Sequence, residues 1–359
     1  MNDLNFTIYI RGLFLLLLIG SLQQTQAQEI HFSQFRNAPL QLSPAMTGVF
    51  EGDMRFMANY RSQWHAVPVN YRTVNAAFDT RLFSNSANTG FWGGGLVFNY
   101  DWAGDSKLST AYLAINGSYT RRIIKNNFLT AGVSLGGFQR SFKLDDLQWD
   151  DQFDGKQFNG NLANGESFDN TTKFYGDFSA GLNWHFRRMD TKHSRTTFDI
   201  GIGALHLNEP KKAFYDNDDD YLPRLFNFYG LATIDIRPKA DLVLLATGKY
   251  QNTETEHLVG AAARIHLNTQ PTQQSALQLG LSYRFNTIGF GNGDALIPNI
   301  ELHYHDWLFG LSYDINISGF RKYGDRWATE NRGGPELALI YTLKNVTDEN
   351  YCPNCPPVF

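Results

Sequence analysis

The chain has 359 residues, with 17 Tyr, 28 Phe, 7 Trp and 32 Gly, and its formal net charge is -4. This balance offers no basic stripe for nucleic acid, and the acidic excess is too small to imply a partner. Aromatic residues and glycines in this proportion are typical of strands and tight turns, so we predict an all-β protein.

The chain begins with a predicted signal peptide, residues 1–27. Leu13–Gly20 is an apolar core behind Arg11, and Thr25-Gln26-Ala27 ends in a small residue, as cleavage sites do. Eight apolar residues are too few to cross a bilayer, which needs about 20. A buried N-terminal helix is the alternative, but polar glutamines follow the core at once. Later apolar runs are too short for a transmembrane helix, and no linker divides the chain, so we expect one domain.

Alternation of apolar and polar residues predicts the strands. In 174–186, Phe174, Phe178 and Trp184 share one face, while Asp177 and Asn183 share the other. Many such runs have ten residues or more, which suits a tilted membrane strand of about nine to eleven residues better than a sandwich strand. We therefore predict a transmembrane outer-membrane β-barrel of about 14 antiparallel strands, with aromatic residues outward and polar residues inward. A secreted β-sandwich or propeller is the alternative. The predicted strands lie near 53–63, 70–83, 90–102, 107–122, 127–141, 173–187, 196–206, 225–237, 241–250, 255–266, 275–285, 294–302, 306–316 and 334–344.

The connections between these strands differ in length, as in barrels with long extracellular loops and short periplasmic turns. The long ones are expected outside, at 142–172, 207–224 and 317–333. The short ones are expected in the periplasm, at 123–126, 238–240 and 303–305. Both ends of the mature chain are then periplasmic.

Motifs along nearly the whole mature chain resemble the PorP/SprF family of type IX secretion membrane proteins. The motifs are His31–Phe35, Ala38–Leu40, Ser43–Ala45, Ala58–Trp64, Tyr71–Asp79, Gly203–Pro210, Leu222–Arg224, Leu311–Ser318 and Gly333–Tyr341. The chain departs from the family at Ser43, where Asn is common, and in a tail that continues past Lys344.

The resemblance implies an integral outer-membrane protein of Bacteroidota that works with the type IX secretion system, without enzymatic activity. It implies two partners, a peptidoglycan-binding OmpA-like lipoprotein and a secreted surface cargo or adhesin, in processes that include gliding motility. The resulting division is a periplasmic N-terminal segment or plug at 28–52, a barrel at 53–344 and a C-terminal periplasmic tail at 345–359. The residues expected to contact a partner or the plug are Phe32, Gln34, Phe35, Pro39, Pro44, Tyr60, Arg61, Gln63 and Trp64. For Tyr60 and Trp64, which share a strand face, an aromatic girdle is the alternative.

The tail contains Cys352 and Cys355, for which we predict a structural disulfide in an oxidising periplasm. No helix follows to lower a thiol pKa, and no second pair of ligands is available for a metal. Asp216–Asp220 has the alternating carboxylates of a calcium loop but lacks its Gly and Glu, so a solvated acidic loop is favoured.

No catalytic motif or cofactor site is recognised, and His303 with His305 gives only a weak hint of a metal. Inward charges, such as Arg121, Asp177, Arg264, Arg284 and Asp314, would line a water-filled lumen or form ion pairs in a closed one. Three hypotheses result: a secretion accessory, favoured by the resemblance, a passive outer-membrane porin, and an outer-membrane enzyme.

Overall fold

The computed structural model describes residues 31–63, 71–84, 90–104, 107–143, 150–153, 155, 157, 159, 162, 170–188, 194–214, 220–269, 274–286, 293–318, 322–323, 326–327 and 332–344. The predicted signal peptide and the predicted tail with Cys352 and Cys355 lie outside these residues. Within them, no helix is both long enough and apolar enough to cross a bilayer.

Fourteen strands of the described chain form one closed antiparallel barrel. Each pairs with its neighbour in sequence, and the last pairs with the first. The barrel strands are β1 (Met54–Gln63), β2 (Tyr71–Ser84), β3 (Gly90–Ala103), β4 (Leu108–Ile124), β5 (Asn127–Ser141), β6 (Thr172–Arg187), β7 (Thr197–Leu205), β8 (Leu225–Arg237), β9 (Ala240–Gln251), β10 (Glu254–Asn268), β11 (Ser275–Asn286), β12 (Gly293–Tyr304), β13 (Trp307–Asn316) and β16 (Arg332–Leu343). Two short strands, β14 (Lys322–Tyr323) and β15 (Arg326–Trp327), pair only with each other.

Closure of the barrel leaves no unpaired edge in the fourteen-stranded sheet. Met54 of β1 pairs with Leu343 of β16 on one side and with Thr80 of β2 on the other, so the backbone hydrogen bonds that an open sheet would expose are satisfied. The predicted class and strand number are confirmed, and the observed boundaries lie within about two residues of the predicted ones. The small β14–β15 hairpin was not predicted, since 317–333 was expected to be an uninterrupted loop.

Apolar side chains cover the outside of the barrel, and polar side chains point inward. In β3, Leu96 and Phe98 are 48% and 41% exposed, whereas Asn99, on the opposite face of the strand, is 3% exposed. Aromatic rings also meet across strands on the outer surface: the Trp307 and Tyr341 ring centres lie 4.6 Å apart. This arrangement matches a lipid-facing exterior with an interfacial girdle and confirms the predicted orientation of the two faces.

The two ends of the barrel differ, and we call them the loop end and the turn end. Connections of the loop end include 142–171, 206–224 and 317–331, while those of the turn end include 125–126, 238–239 and 305–306. Asn126 and His305 adopt positive φ angles of 67° and 55° in the tight turns, a conformation that Asn and His tolerate better than most residues. By the usual asymmetry of such barrels, the turn end faces the periplasm.

Candidate functional site

Residues 31–53 run through the barrel interior, and we call them the luminal segment. It contains three short 3₁₀ helices: Phe35–Asn37, Pro39–Gln41 and Pro44–Met46. Pro39 and Pro44 begin two of these helices, where a missing amide costs no hydrogen bond and the fixed φ suits the helix. The Ser43 hydroxyl accepts a hydrogen bond from the Ala45 amide at 3.2 Å. The prolines therefore give the segment a compact, coiled course instead of another strand.

At the loop end, Glu336 of β16 binds the start of the luminal segment. Its two carboxylate oxygens accept the backbone amides of Ser33 at 2.8 Å and Gln34 at 2.7 Å. The Gln34 side chain also donates to the Glu336 carbonyl oxygen at 2.9 Å. Since the Glu336 side chain is 1% exposed, these charge-assisted hydrogen bonds are formed out of water, where they are strongest.

Asp314 of β13 lies beside Glu336 and joins the segment to two arginines. It accepts the Ser33 hydroxyl at 2.8 Å, Arg61 Nη2 at 2.9 Å and Arg284 Nη1 at 2.9 Å. Arg61 Nη1 also donates to the His31 carbonyl oxygen. One carboxylate thus connects β1, β11, β13 and the luminal segment. We call Arg61, Arg284, Asp314 and Glu336 the loop-end charge cluster.

His31 lies next to this cluster and faces Glu256 of β10. The distance from His31 Nε2 to Glu256 Oε2 is 3.2 Å, and burial lowers the pKa of His31 to about 3. The imidazole is therefore neutral at physiological pH. Lys249 and Arg284, at 3.7 Å and 3.9 Å, supply the positive charge opposite Glu256.

The middle of the luminal segment is apolar and packs on an apolar strip of the barrel wall. From the segment, Phe35, Leu40, Leu42 and Met46 are buried. The strip that receives them consists of Met57, Val97, Tyr229, Leu258, Ala295, Ile297 and Ile340. At about 1.5–3 kcal/mol for each buried side chain, the four contribute about 6–12 kcal/mol before the entropy cost of ordering. Apolar contact therefore holds the middle of the segment, while hydrogen bonds to the wall hold it along its length.

Glycines in β5 to β7 let the segment approach the wall closely. A Cβ atom placed on Gly203 would lie 2.0 Å from the Leu42 carbonyl oxygen, and one on Gly132 would lie 2.4 Å from Pro44 backbone atoms. No side chain fits at either distance. Glycine at these positions is therefore required by the passage of the segment, not by the strand itself.

At the turn end, Asp79 of β2 binds the end of the luminal segment. Its carboxylate accepts the Gly48 amide at 2.8 Å and two hydrogen bonds from Arg55, at 2.9 Å and 2.8 Å. The Arg55 guanidinium also lies 4.5 Å from the Phe50 ring centre, a cation–π distance. Both ends of the segment are thus attached by buried ionic groups.

A cavity of about 1070 Å³ lies beside the segment and opens toward the turn end. Seven arginine and lysine residues line it against four acidic residues, a formal excess of three positive charges with histidines neutral. The basic residues are Arg36, Arg55, Arg187, Arg195, Arg237, Arg264 and Lys344, and the acidic ones are Glu51, Asp199, Asp235 and Asp306. The cavity is thus basic although the whole chain carries a charge of -4.

The residues predicted as partner or plug contacts fall into three groups. Phe32, Gln34, Phe35, Pro39 and Pro44 are buried in the luminal segment, and Arg61 joins them through the loop-end charge cluster. Tyr60 lies on the outward face of β1, directed away from the segment, and Gln63 is half-buried at the loop end. Trp64 lies outside the described residues.

Several anchoring residues were not predicted from the sequence, namely Glu336, Asp79 and Arg55. The alternation of β16 indicates that Glu336 faces inward, because Glu336 shares the buried face of this strand with Ala338 and Ile340.

The prediction that Arg121 faces inward is wrong. Arg121 is exposed, whereas Ser118 and Thr120 mark the buried face of β4; a shift of one residue reverses the face.

Other predicted sites are only partly described. Asp220, at the end of the acidic run, pairs with Lys212 at 3.3 Å, while 216–219 lie outside the described residues. His303 Nε2 lies 3.4 Å from Glu301 Oε2 inside the barrel. In the described part of the chain, no group of three or more His, Cys, Asp or Glu side chains is placed to hold a metal ion.

Comparison with known proteins identifies one family. The family model described as type IX secretion system membrane protein PorP/SprF matches residues 24–328. No curated protein matches the chain closely enough to count as a relative. Similar solved structures include the TodX deltaS2S3 mutant monoaromatic hydrocarbon channel, at 10% identity and a TM-score of 0.47, covering 85% of this chain and 93% of that chain. The Ralstonia pickettii toluene transporter TbuX is 8% identical, with a TM-score of 0.45 and coverage of 85% and 92%.

Proposed function

The chain belongs to the PorP/SprF family of type IX secretion system membrane proteins, and we propose that it is a non-enzymatic accessory barrel that supports the export or surface anchoring of a partner protein. The family and the barrel with its lipid-facing exterior place it in the outer membrane. The proposed partners are a secreted surface cargo or adhesin and a periplasmic OmpA-like lipoprotein that binds peptidoglycan.

The observation that carries this proposal is the attachment of the luminal segment. Residues 31–53 are bound by Glu336 and Asp314 at the loop end, by an apolar strip in the middle and by Asp79 at the turn end. A diffusion pore needs a continuous water-filled path, and a segment bonded on several sides restricts such a path. The segment is therefore proposed to act as a plug rather than as a loose periplasmic strand. This favours a structural role in secretion over passive diffusion.

Pull-down of a tagged copy from native outer membranes, with mass spectrometry of the bound proteins, tests the secretion role. Recovery of a peptidoglycan-binding lipoprotein together with one large secreted surface protein is the expected result. A barrel that repeatedly returns without partners, while secretion in a deletion strain is normal, would contradict the proposal.

Deletion of residues 28–45 tests the plug. We expect the shortened chain to keep the heat-sensitive gel mobility of a folded barrel and to conduct ions in planar bilayers at a level that the full chain does not reach. If conductance and cargo export are both unchanged, the segment is not a plug. Stable conductance by the full chain would instead favour the porin hypothesis.

A reversible lock provides the matched control. A Cβ built on Gly181 lies 3.3 Å from Ser43 Cβ and 2.9 Å from the Ile202 carbonyl oxygen. Since the Cβ atoms of a disulfide are about 3.5–4.5 Å apart, a bridge forms here after the segment and β6 separate by a few tenths of an ångström. In a background with Cys352→Ser and Cys355→Ser, the pair Ser43→Cys and Gly181→Cys should fix the segment when oxidised. Any conductance that depends on release of the segment should then disappear on oxidation and return on reduction.

A further inference from the structure

Two arginines that line the basic cavity, Arg36 and Arg264, have no carboxylate within ion-pair distance among the described residues. Arg36 Nη2 donates to Thr233 Oγ1 at 3.2 Å, and Arg36 Nη1 is buried without a hydrogen-bond partner. Arg264 donates to Gln278 Oε1 through Nε and Nη2, at 3.1 Å and 2.8 Å. Neither guanidinium forms an ion pair with a carboxylate in the described part of the chain. Both arginines are only partly exposed, so each charge is partly withdrawn from water without an ion-pair partner.

The two charges also disfavour each other. Arg36 comes from the luminal segment and Arg264 from β10, both line the same cavity, and their like charges repel. Glu301, Asp241 and Glu51 compensate Arg264 from beyond ion-pair distance. Of these, Glu301 already accepts Asn37 Nδ2 at 3.0 Å and lies 3.4 Å from His303. An additional carboxylate between the two guanidinium groups would relieve this repulsion.

The remaining cations of the cavity extend from this pair toward the opening. Arg237 and Lys344 line the cavity and likewise form no ion pair with described residues. By contrast, Arg195 is held by Asp241 at 2.7 Å and Arg187 by Glu51 at 3.1 Å. Positive charge outside ion pairs is therefore found at Arg36 and Arg264, near the luminal segment, and at Arg237 and Lys344, nearer the cavity opening. The cavity, at about 1070 Å³, is larger than a single small anion needs.

We infer that this cavity binds an acidic polypeptide segment that enters from the turn end, with a carboxylate seated between Arg36 and Arg264 and further carboxylates at Arg237 and Lys344. Arginine is suited to this recognition because its planar guanidinium binds carboxylate with two parallel hydrogen bonds. Since Arg36 belongs to the luminal segment, a bound peptide would also contact the proposed plug. The peptide belongs to a secretion component only if the function proposed above holds, whereas the binding itself depends on the cavity alone.

Binding of a fluorescent octaglutamate peptide to the purified full chain in detergent tests the inference, with octaglutamine as the neutral control. We expect octaglutamate to bind at low ionic strength, with affinity that falls as salt is added, and octaglutamine not to bind. The double variant Arg36→Gln, Arg264→Gln should bind about tenfold more weakly or worse, because charge-assisted hydrogen bonds are lost. The control Arg72→Gln removes an exposed arginine from the outer face of β2 and should leave binding unchanged.

Three results would overturn the inference: no binding of octaglutamate at low salt, equal binding by the double variant, or competition by free glutamate or inorganic phosphate at the same concentration as the peptide. Such competition would identify a small-anion site instead.

Heat-dependent gel mobility verifies that each variant is folded. If the double variant is not, the single variant Arg264→Lys, which keeps the charge but loses the bidentate geometry, is expected to give a smaller loss. Unchanged affinity in that variant would count against the inference. If the peptide does not bind, the pull-down that tests the secretion role is unaffected. The peptide-binding inference and the proposed secretion role can therefore fail separately.

Discussion

Replacing Asp314 with alanine should release the loop-end part of the luminal segment. Asp314 is 3% exposed and lies between Arg61 and Arg284, each 2.9 Å away, while it also accepts the Ser33 hydroxyl. Without Asp314, the buried guanidinium groups of Arg61 and Arg284 lose the negative charge that lies between them. Removal of one partner of a buried ion pair typically costs about 3–5 kcal/mol. This cost falls on the state with the segment bound, because release of the segment lets water reach both guanidinium groups. The ratio of released to bound segment should then rise by about 100-fold or more.

A thiol introduced at Ala38 reports on this release. Ala38 is buried in the segment and its methyl side chain makes no hydrogen bond, so Ala38→Cys in the background with Cys352→Ser and Cys355→Ser perturbs the anchors little. The rate at which a maleimide reagent modifies the introduced thiol measures how often the segment opens. We expect Asp314→Ala to raise this rate about 100-fold, up to the limit set by free thiol.

The matched control is Asp241→Ala. Asp241 is a buried aspartate that binds Arg195 at 2.9 Å and His266 at 2.6 Å, outside the luminal segment. Its loss should destabilise the barrel locally without exposing the thiol introduced by Ala38→Cys. The reasoning is refuted if Asp314→Ala leaves the labelling rate nearly unchanged, or if Asp241→Ala raises it equally.

Two further substitutions test the apolar and steric attachment of the segment with the same thiol reporter. A Cβ atom at position 203 would lie 2.0 Å from the Leu42 carbonyl oxygen, so Gly203→Val should expel the segment and expose the thiol. The control Gly230→Val, where a Cβ atom has no neighbour within 4 Å, should leave the thiol protected. Leu42→Ala should weaken segment binding by about 2–5 kcal/mol because the side chain is 1% exposed, whereas Leu113→Ala, at a position that is 59% exposed, should leave labelling unchanged. Slow labelling in both Gly203→Val and Leu42→Ala would show that the segment is held in another way.

The anchors of the segment were harder to predict than the barrel wall. Glu336 and Asp79 occur in strands that were predicted correctly, yet their partners Ser33 and Gly48 are 303 and 31 residues away in sequence. Alternation reports which face a residue occupies, but it carries no information on what lies across the lumen. That Arg36 and Arg264 line the same cavity was not predicted for the same reason: one belongs to an irregular segment and the other to β10.

What the sequence determined by itself is the barrel: alternation with period two, long strands, unequal connections and glycines sufficed to predict its class, its fourteen strands and its lipid-facing side. These are local properties, since each strand's pattern reflects the difference between lipid and lumen at every second residue. Only the tertiary structure decided the course of residues 31–53 through the interior, the loop-end charge cluster and the basic cavity. Those features depend on contacts between residues far apart in sequence, where side chains of many strands converge on one space, and no local pattern specifies which of them will meet.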